Sequence, residues 1–338
     1  MNGIFCVSLQ SWQVRPCTAR PHSPFNPSPN TVTIHLAFNI DRAYITYCLV
    51  TLISIFRNNR SHHIVAHILS RGLTGADKDN MVSLLSEYDG ELHFYEPDEH
   101  LLDGFRIDAS SSHISLVTYY RCMLADYLPA DIDRVIYLDC DILVNADIAP
   151  LWETPLNGAP LAAVADAAAD DAARYEVLCY PQADGYFNAG VLLIDLEWWR
   201  RHDVGRRCID YYHKHPERIR FNDQDLLNSL FHGQVCWVSV TYNAQEGFYR
   251  PRYAGFDAHR DELLHPVVTH FTNRKPWHWA SQHPQRSVFF LYQSYLPVAM
   301  RDEEALSSRK LRLARWFKLL PYTLHLRKPR YRNEFIHA

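Results

Sequence analysis

The sequence predicts an α/β fold built on a mostly parallel sheet with helices as crossovers, and three observations predict it. Short apolar runs rich in β-branched residues recur along the chain, at 31–38, 64–69, 92–95, 134–138, 161–164, 186–196, 235–238 and 267–270. Segments of helical period alternate with them, at 43–58, 75–88, 118–127, 197–213 and 223–231. Alternation of this kind favours parallel strands joined by right-handed crossovers. Third, acidic and amide residues gather where strands end, which is where open α/β sheets bind ligands. With 338 residues, 47% hydrophobic and 21% charged, the chain has the means to bury a full core.

In order, residues 1 to about 30 carry Pro16, Pro21, Pro24, Pro27 and Pro29 among Ser and Asn, and read as a disordered leader. The first strand, 31–38, is followed by a turn at Asn39-Ile40-Asp41-Arg42. The helix over 43–58 sets Tyr44, Tyr47, Cys48, Thr51, Leu52 and Ile55 on one side. Pro129 stops the 118–127 helix. The run 134–138 then delivers Asp139 and Asp141 around Cys140, and a second apolar run, Ile142-Leu143-Val144, follows. A strand at 161–164 ends at Asp166. The strand at 186–196 enters through Tyr186, Phe187 and Asn188, and Asn222 is the expected N-cap of the helix over 223–231. There is no internal repeat.

The net charge of −4 gives no reason to expect a nucleic-acid partner. Eight cysteines stand singly, without a Cys-x-x-Cys pair, so neither a zinc ribbon nor a disulfide framework is indicated. Cys48, Cys122 and Cys236 lie in apolar runs and are expected to be buried thiols of a reducing compartment. No apolar run reaches the roughly 18–20 residues of a membrane span. No basic n-region precedes Ile4–Val7, so a signal peptide is rejected and a cytoplasmic location expected.

Two carboxylates one residue apart at the end of a core strand repel each other and lose hydration, which a cation between them relieves. Oxygen ligands suit Mg²⁺ or Mn²⁺, and an added imidazole favours Mn²⁺. The plainer reading of Asp139 and Asp141 is a polar turn between two strands. Further polar clusters are Asp41 after the first strand, Asn188, the Asp223-Gln224-Asp225 triplet at a helix start, and His270 followed by Lys275-Pro276-Trp277-His278. Each has its plain alternative: turn chemistry at Asp41, helix N-terminal charge at the triplet, one histidine among 19 at His270. The chain has no Gly-x-Gly-x-x-Gly and no Walker loop, so nucleotide phosphates would need a cation to neutralise them.

Together these clusters resemble one family. Asp-x-Asp after a hydrophobic strand, Tyr-Phe-Asn-Ala-Gly-Val-Leu-Leu-Ile-Asp-Leu, Asn-Asp-Gln-Asp-Leu-Leu-Asn and Thr-His-Phe…Lys-Pro-Trp-His occur in the order seen in family 8 retaining glycosyltransferases. His113-Ile114-Ser115 leading to Thr118-Tyr119-Tyr120-Arg121 adds to the likeness, which runs from about Thr31 to Leu296. It is nearest to the bacterial lipopolysaccharide core galactosyl- and glucosyltransferases. The resemblance implies a GT-A (Rossmann-like nucleotide-diphospho-sugar transferase) fold and a UDP-galactose or UDP-glucose donor. By the same resemblance Asp139, Asp141 and His270 hold Mn²⁺, with Mg²⁺ as the substitute. Asp41 and Tyr44 contact the nucleoside, Lys275 the diphosphate, and Cys140 lies with the donor-binding residues. Arg121, Asn188 and Asp223 orient the sugar, Gln224 lies beneath the anomeric carbon, and His113 and Asp166 face the acceptor. One departure stands out: His270-Phe271-Thr272-Asn273-Arg274-Lys275 lacks the family's glycine and is one residue short, leaving Arg274 as its substitute.

Retention by double displacement needs a carboxylate nucleophile, and Gln224 is a poor one. Front-face attack is therefore expected, with Asp225 as the candidate for a covalent alternative. A rival reading of Asp-x-Asp, a haloacid-dehalogenase-like phosphatase, wants Thr or Ser soon after the second Asp, where this chain has Ile142-Leu143-Val144. An inactive sugar-nucleotide-binding protein is the third reading. The chain divides into the leader 1–30, a catalytic domain 31–296 and a C-terminal segment 297–338. In that segment Leu313, Trp316, Phe317 and Leu320 share one helical face opposite Arg312, Arg315 and Lys318. A basic amphipathic helix of this kind suits an anionic membrane surface. It predicts a peripheral position on the inner face of the inner membrane, where a lipid-linked or core oligosaccharide acceptor would be met. The plain alternative is a helix docked on the body.

Overall fold

The structure, a computed structural model, describes residues 31–107, 115–302, 309–323, 326–328 and 330–335. The expected leader and His113 lie outside the described residues. Among the described residues ten strands form two sheets: β1 (Thr33–Asp41), β2 (His63–Arg71), β3 (Gly90–Tyr95), β4 (Arg134–Leu138), β5 (Ile142–Val144), β6 (Leu161–Ala165), β7 (Phe187–Asp195), β8 (Val235–Trp237), β9 (Ala244–Gln245) and β10 (Val268–His270). The main sheet runs β3-β2-β1-β4-β7-β6-β8. β1 pairs in parallel with β2 and β4, β2 with β3, and β6 with β8, while β7 is antiparallel to both its neighbours. The expected mixed, mostly parallel α/β sheet is the one observed.

Each face of the sheet is covered because its strands are apolar on both sides. On one face the Ile45–Asn58 helix buries every residue from Cys48 to Phe56 against Leu36, Phe38, Ile136 and Leu138. On the other, Tyr119, Trp199 and Phe231 pack on Val135, Leu192 and Ile194. A small sheet, β5-β10-β9, stands beyond the carboxyl end of β4.

Several expected boundaries are corrected. Asn39 to Asp41 is no turn: parallel pairing with Leu69, Ser70 and Arg71 keeps β1 extended to Asp41. The segment 118–127 is 3₁₀ from Leu116 to Met123 and α-helical only over Leu124–Tyr127. The helix expected over 197–213 is two, Leu196–Arg201 and Val204–Lys214, broken where Asp203 adopts φ 51°. Asn222 does not cap the next helix but is its first residue, at φ 50°. The N-cap position is Phe221, without a side-chain cap bond; Asp225 in the first turn reaches back, its Oδ2 accepting from the N–H groups of Arg220 (2.8 Å) and Phe221 (2.6 Å). Cys48 and Cys122 are buried as expected, whereas Cys236 is only half-buried on the edge strand β8. Helices at Ala172–Leu178, Arg260–Leu264 and Arg286–Gln293 had no clear sequence signal.

The C-terminal segment has two parts. In the Arg309–Thr323 helix, Leu313, Trp316 and Phe317 are 61%, 56% and 58% exposed, so this apolar face is not covered by the body. Beyond it, Tyr331 and Phe335 are buried against Phe248, Tyr249 and Phe256. The Tyr331 hydroxyl donates to Glu246 Oε1 (2.8 Å), and Arg330 and Arg250 pair with the same buried carboxylate. The chain end is thus strapped to the wall beside the cleft.

Candidate active site

The carboxyl ends of β1 and β4, the first half of β7, the start of the Asn222–Phe231 helix and the end of β10 surround one cleft of about 1210 Å³. Asp139 follows β4 directly, and its backbone N–H donates to Gly190 O on β7 (2.9 Å). Asp141 precedes β5, which pairs antiparallel with β10 so that Ile142 stands opposite His270. The Phe271 N–H donates to Asp141 O (3.0 Å). That pairing brings together residues about 130 positions apart in the chain. His270 Nε2 lies 3.3 Å from Asp141 Oδ1 and 3.6 Å from Asp139 Oδ2.

One ligand atom from each of these three side chains lies within 4.8 Å of the others, as a single cation requires. Gly190 makes the packing feasible: a Cβ there would overlap His270 Cε1 and lie 2.7 Å from Asp139 Oδ2. The donor set, two carboxylates and an imidazole, fits Mn²⁺ or Mg²⁺. Burial alone would raise the Asp141 carboxyl, but Lys275 and His270 outweigh it and hold that group well below the usual carboxylate range. Lys275 Nζ hydrogen-bonds Asp141 Oδ2 and donates to Phe271 O (2.9 Å). Two residues on, Trp277 stacks on Tyr47 at 3.7 Å and fixes the loop that carries the lysine.

The expected sugar-facing residues stand beside this cluster. Arg121, 5% exposed, pairs with Asp139 Oδ1 (2.8 Å) and Asp223 Oδ2 (2.9 Å) and donates to Ala189 O (2.7 Å). Burial opposes its charge, and the two carboxylates more than restore it. Burial pushes the Asp223 carboxyl up to about 6, with Arg121 and the Thr118 hydroxyl opposing. Gln224 Nε2 donates to Asp166 Oδ2 (3.0 Å), while its Oε1 accepts from Asn188 Nδ2 and the Ala189 N–H, both at 3.1 Å. Asp41, Tyr44, Cys140 and Asp166 also line the cleft. Asp225 does not: it is 2% exposed, turned into the fold, with Oδ1 bonded to the Tyr186 hydroxyl (2.7 Å) and Oδ2 holding the Arg220 and Phe221 N–H groups ahead of the helix. Its expected catalytic placement is corrected accordingly, since each of its oxygens already serves the scaffold.

Sequence reasoning missed a supporting row on and around β9. Asn243 bonds both His270 and Asn188. The Gln245 side chain bonds Ala165 O (2.9 Å) and the Ala167 N–H (2.8 Å) on either side of Asp166. Arg174 stands 3.6 Å from Asp166, between the rings of Tyr186 (4.2 Å) and Phe221 (4.4 Å). Their only sequence signal was polarity within otherwise irregular segments.

Comparison with known proteins gives a consistent result. The family model "Glycosyl transferase family 8" matches residues 35–280. General stress protein A of Bacillus subtilis (strain 168) is 26% identical over 272 residues, covering 78% of this chain and 93% of that protein. Lipopolysaccharide 1,3-galactosyltransferase of Salmonella typhimurium (strain LT2) is 27% identical over 277 residues, 78% of each chain. Among solved structures, the galactosyltransferase LgtC in complex with donor and acceptor sugar analogues superposes with a TM-score of 0.71 at 29% identity, covering 79% of this chain and 98% of that one.

Proposed function

Because the chain belongs to glycosyl transferase family 8 and is a glycosyltransferase of GT-A fold, we propose that it moves a galactose or glucose from a UDP-sugar to a glycan acceptor of the lipopolysaccharide core, with retention at the anomeric carbon. One observation carries the reading: Asp139, Asp141 and His270 converge on a cleft that also presents Lys275, Gln224 and Asn188. The lipopolysaccharide galactosyltransferase among its relatives supports the acceptor class.

Asp139, Asp141 and His270 would hold Mn²⁺, or Mg²⁺ in its place, which supplies positive charge to the departing diphosphate. Lys275 adds a second positive charge beside Asp141. Asp41 and Tyr44 sit where the nucleoside would enter, and Arg121 with Asp223 and Asn188 orients the hexose. In the proposed displacement the acceptor hydroxyl attacks the anomeric carbon on the face the diphosphate leaves. The carbon–oxygen bond to UDP breaks as the new glycosidic bond forms, and the hydroxyl proton passes to the departing phosphate oxygen. Gln224, held by Asp166, Asn188 and Ala189, presents a neutral amide and no carboxylate nucleophile. The scaffold contacts of Asp225 support the same choice.

The test is a panel of UDP-hexoses with Mn²⁺ and purified truncated core oligosaccharides. UDP release should be confined to a galactose or glucose donor, stop with EDTA, and fall by about 10³-fold or more in Asp141→Asn. Turnover of a generic phosphatase substrate without UDP release would overturn the proposal.

Among the described residues no helix is long and apolar enough to cross a membrane. The uncovered Leu313, Trp316 and Phe317 face supports peripheral attachment to an anionic inner-membrane surface.

A further inference from the structure

Asn243 is fully buried between the metal cluster and the sugar-facing amides. The orientation of its side-chain amide follows from its neighbours. Asn188 Nδ2 lies 3.1 Å from Asp166 Oδ2 and 3.1 Å from Gln224 Oε1, two acceptors, so that end of Asn188 donates. Asn188 Oδ1 accepts from the Gly190 N–H (3.1 Å), and so it must also accept from Asn243 Nδ2 at 2.9 Å. Asn243 is then left with its oxygen, Oδ1, 2.9 Å from His270 Nδ1. An amide oxygen only accepts, so His270 carries its proton on Nδ1 and turns the lone pair of Nε2 toward Asp139 and Asp141.

We propose that Asn243 is a positioning residue that joins the two halves of the site, through one atom each. Its oxygen fixes the tautomer and ring plane of His270 for the cation. Its nitrogen holds Asn188, and through Asn188 the Gln224 amide, in the orientation that meets the sugar. Second-shell partners of a ligating histidine typically change metal affinity or activity by about 10–100-fold when lost. The position of Asn243, one residue before β9, suits the role, because β9 pairs in parallel with β10 and sets Gln245 opposite His270. The inference rests on the metal reading given above.

Two substitutions separate the two atoms. Asn243→Leu removes both bonds at similar volume, and Mn²⁺ affinity, read by calorimetry on the free enzyme, should fall about 10–100-fold. Asn243→Asp keeps an acceptor for His270 Nδ1 but sets a carboxylate oxygen against Asn188 Oδ1. Its Mn²⁺ affinity should stay close to that of wild type, while kcat falls about tenfold or more. A leucine variant that binds Mn²⁺ like wild type, or an aspartate variant that loses Mn²⁺ affinity as the leucine variant does, would overturn the role. Asn243→Val replaces the leucine variant if the latter fails to fold. Wild-type enzyme that binds no Mn²⁺ would overturn this role together with the metal reading, whereas normal wild-type binding beside an unchanged leucine variant would overturn the role of Asn243 alone.

Discussion

Arg121 shows how strongly single side chains are constrained in this site. Its guanidinium spans Asp139 and Asp223 and lies 4.3 Å above the Tyr137 ring. The Tyr137 hydroxyl donates to the same Asp139 Oδ1 (2.8 Å). A buried ion pair adds little net stability when intact, but removing one partner leaves uncompensated charge. Arg121→Met is therefore expected to destabilise the free protein by about 3–5 kcal/mol in chemical denaturation. A loss below about 1 kcal/mol, the scale of an exposed pair, would contradict this account of Arg121. Lysine would not substitute fully, because a point charge cannot match the fork that serves Asp139, Asp223 and Ala189 together.

At the scale of elements, β10 and β9 convert sequence distance into proximity. Three residues of β10 suffice to carry His270 to the aspartates, and two of β9 bring Asn243 against His270 and Gln245 beside Asp166. The C-terminal helix is the opposite case: among the described residues, Leu313, Trp316 and Phe317 of its apolar face stay exposed. Deleting the whole segment would also remove Arg330 and Tyr331 from the buried Glu246, and so would confuse attachment with stability. Substituting serine for Leu313, Trp316 and Phe317 alone leaves the strap intact. Each buried side chain of this kind contributes about 1.5–3 kcal/mol, so the triple variant should lose most of its binding to anionic vesicles in sedimentation. UDP-sugar hydrolysis in solution should be unaffected. Vesicle binding equal to wild type would rule out this face as the attachment surface.

For the molecule as a whole, the mixed sheet gathers the site at the carboxyl ends of β1 and β4, and much of that was legible in the sequence. The strand 134–138 matched Arg134–Leu138, because a short, β-branched run buried from Val135 to Leu138 has few alternatives. The convergence of Asp139, Asp141 and His270 was legible only through the order of motifs, since nothing local to His270 announces a ligand. The placements of Asn243, Gln245 and Glu246 were not legible: each acts through hydrogen bonds to distant chain segments, which leave no periodic trace. The same holds for Asp225, whose acidic triplet looked catalytic while its carboxylate ties down the backbone of Arg220 and Phe221 ahead of the helix. Asp203 and Asn222 took positive φ where their sequence suggested continuous helix or an ordinary cap.

The central claim is that one divalent cation is held by two carboxylates and the imidazole of His270. Electron spin-echo spectroscopy of Mn²⁺ bound with UDP, on protein carrying ¹⁵N-labelled histidine, reads that contact directly. A single Mn²⁺ per chain should show ¹⁵N modulation, lost in His270→Ala while some residual Mn²⁺ still binds. Tightly bound Mn²⁺ without histidine modulation in the wild-type protein would contradict it.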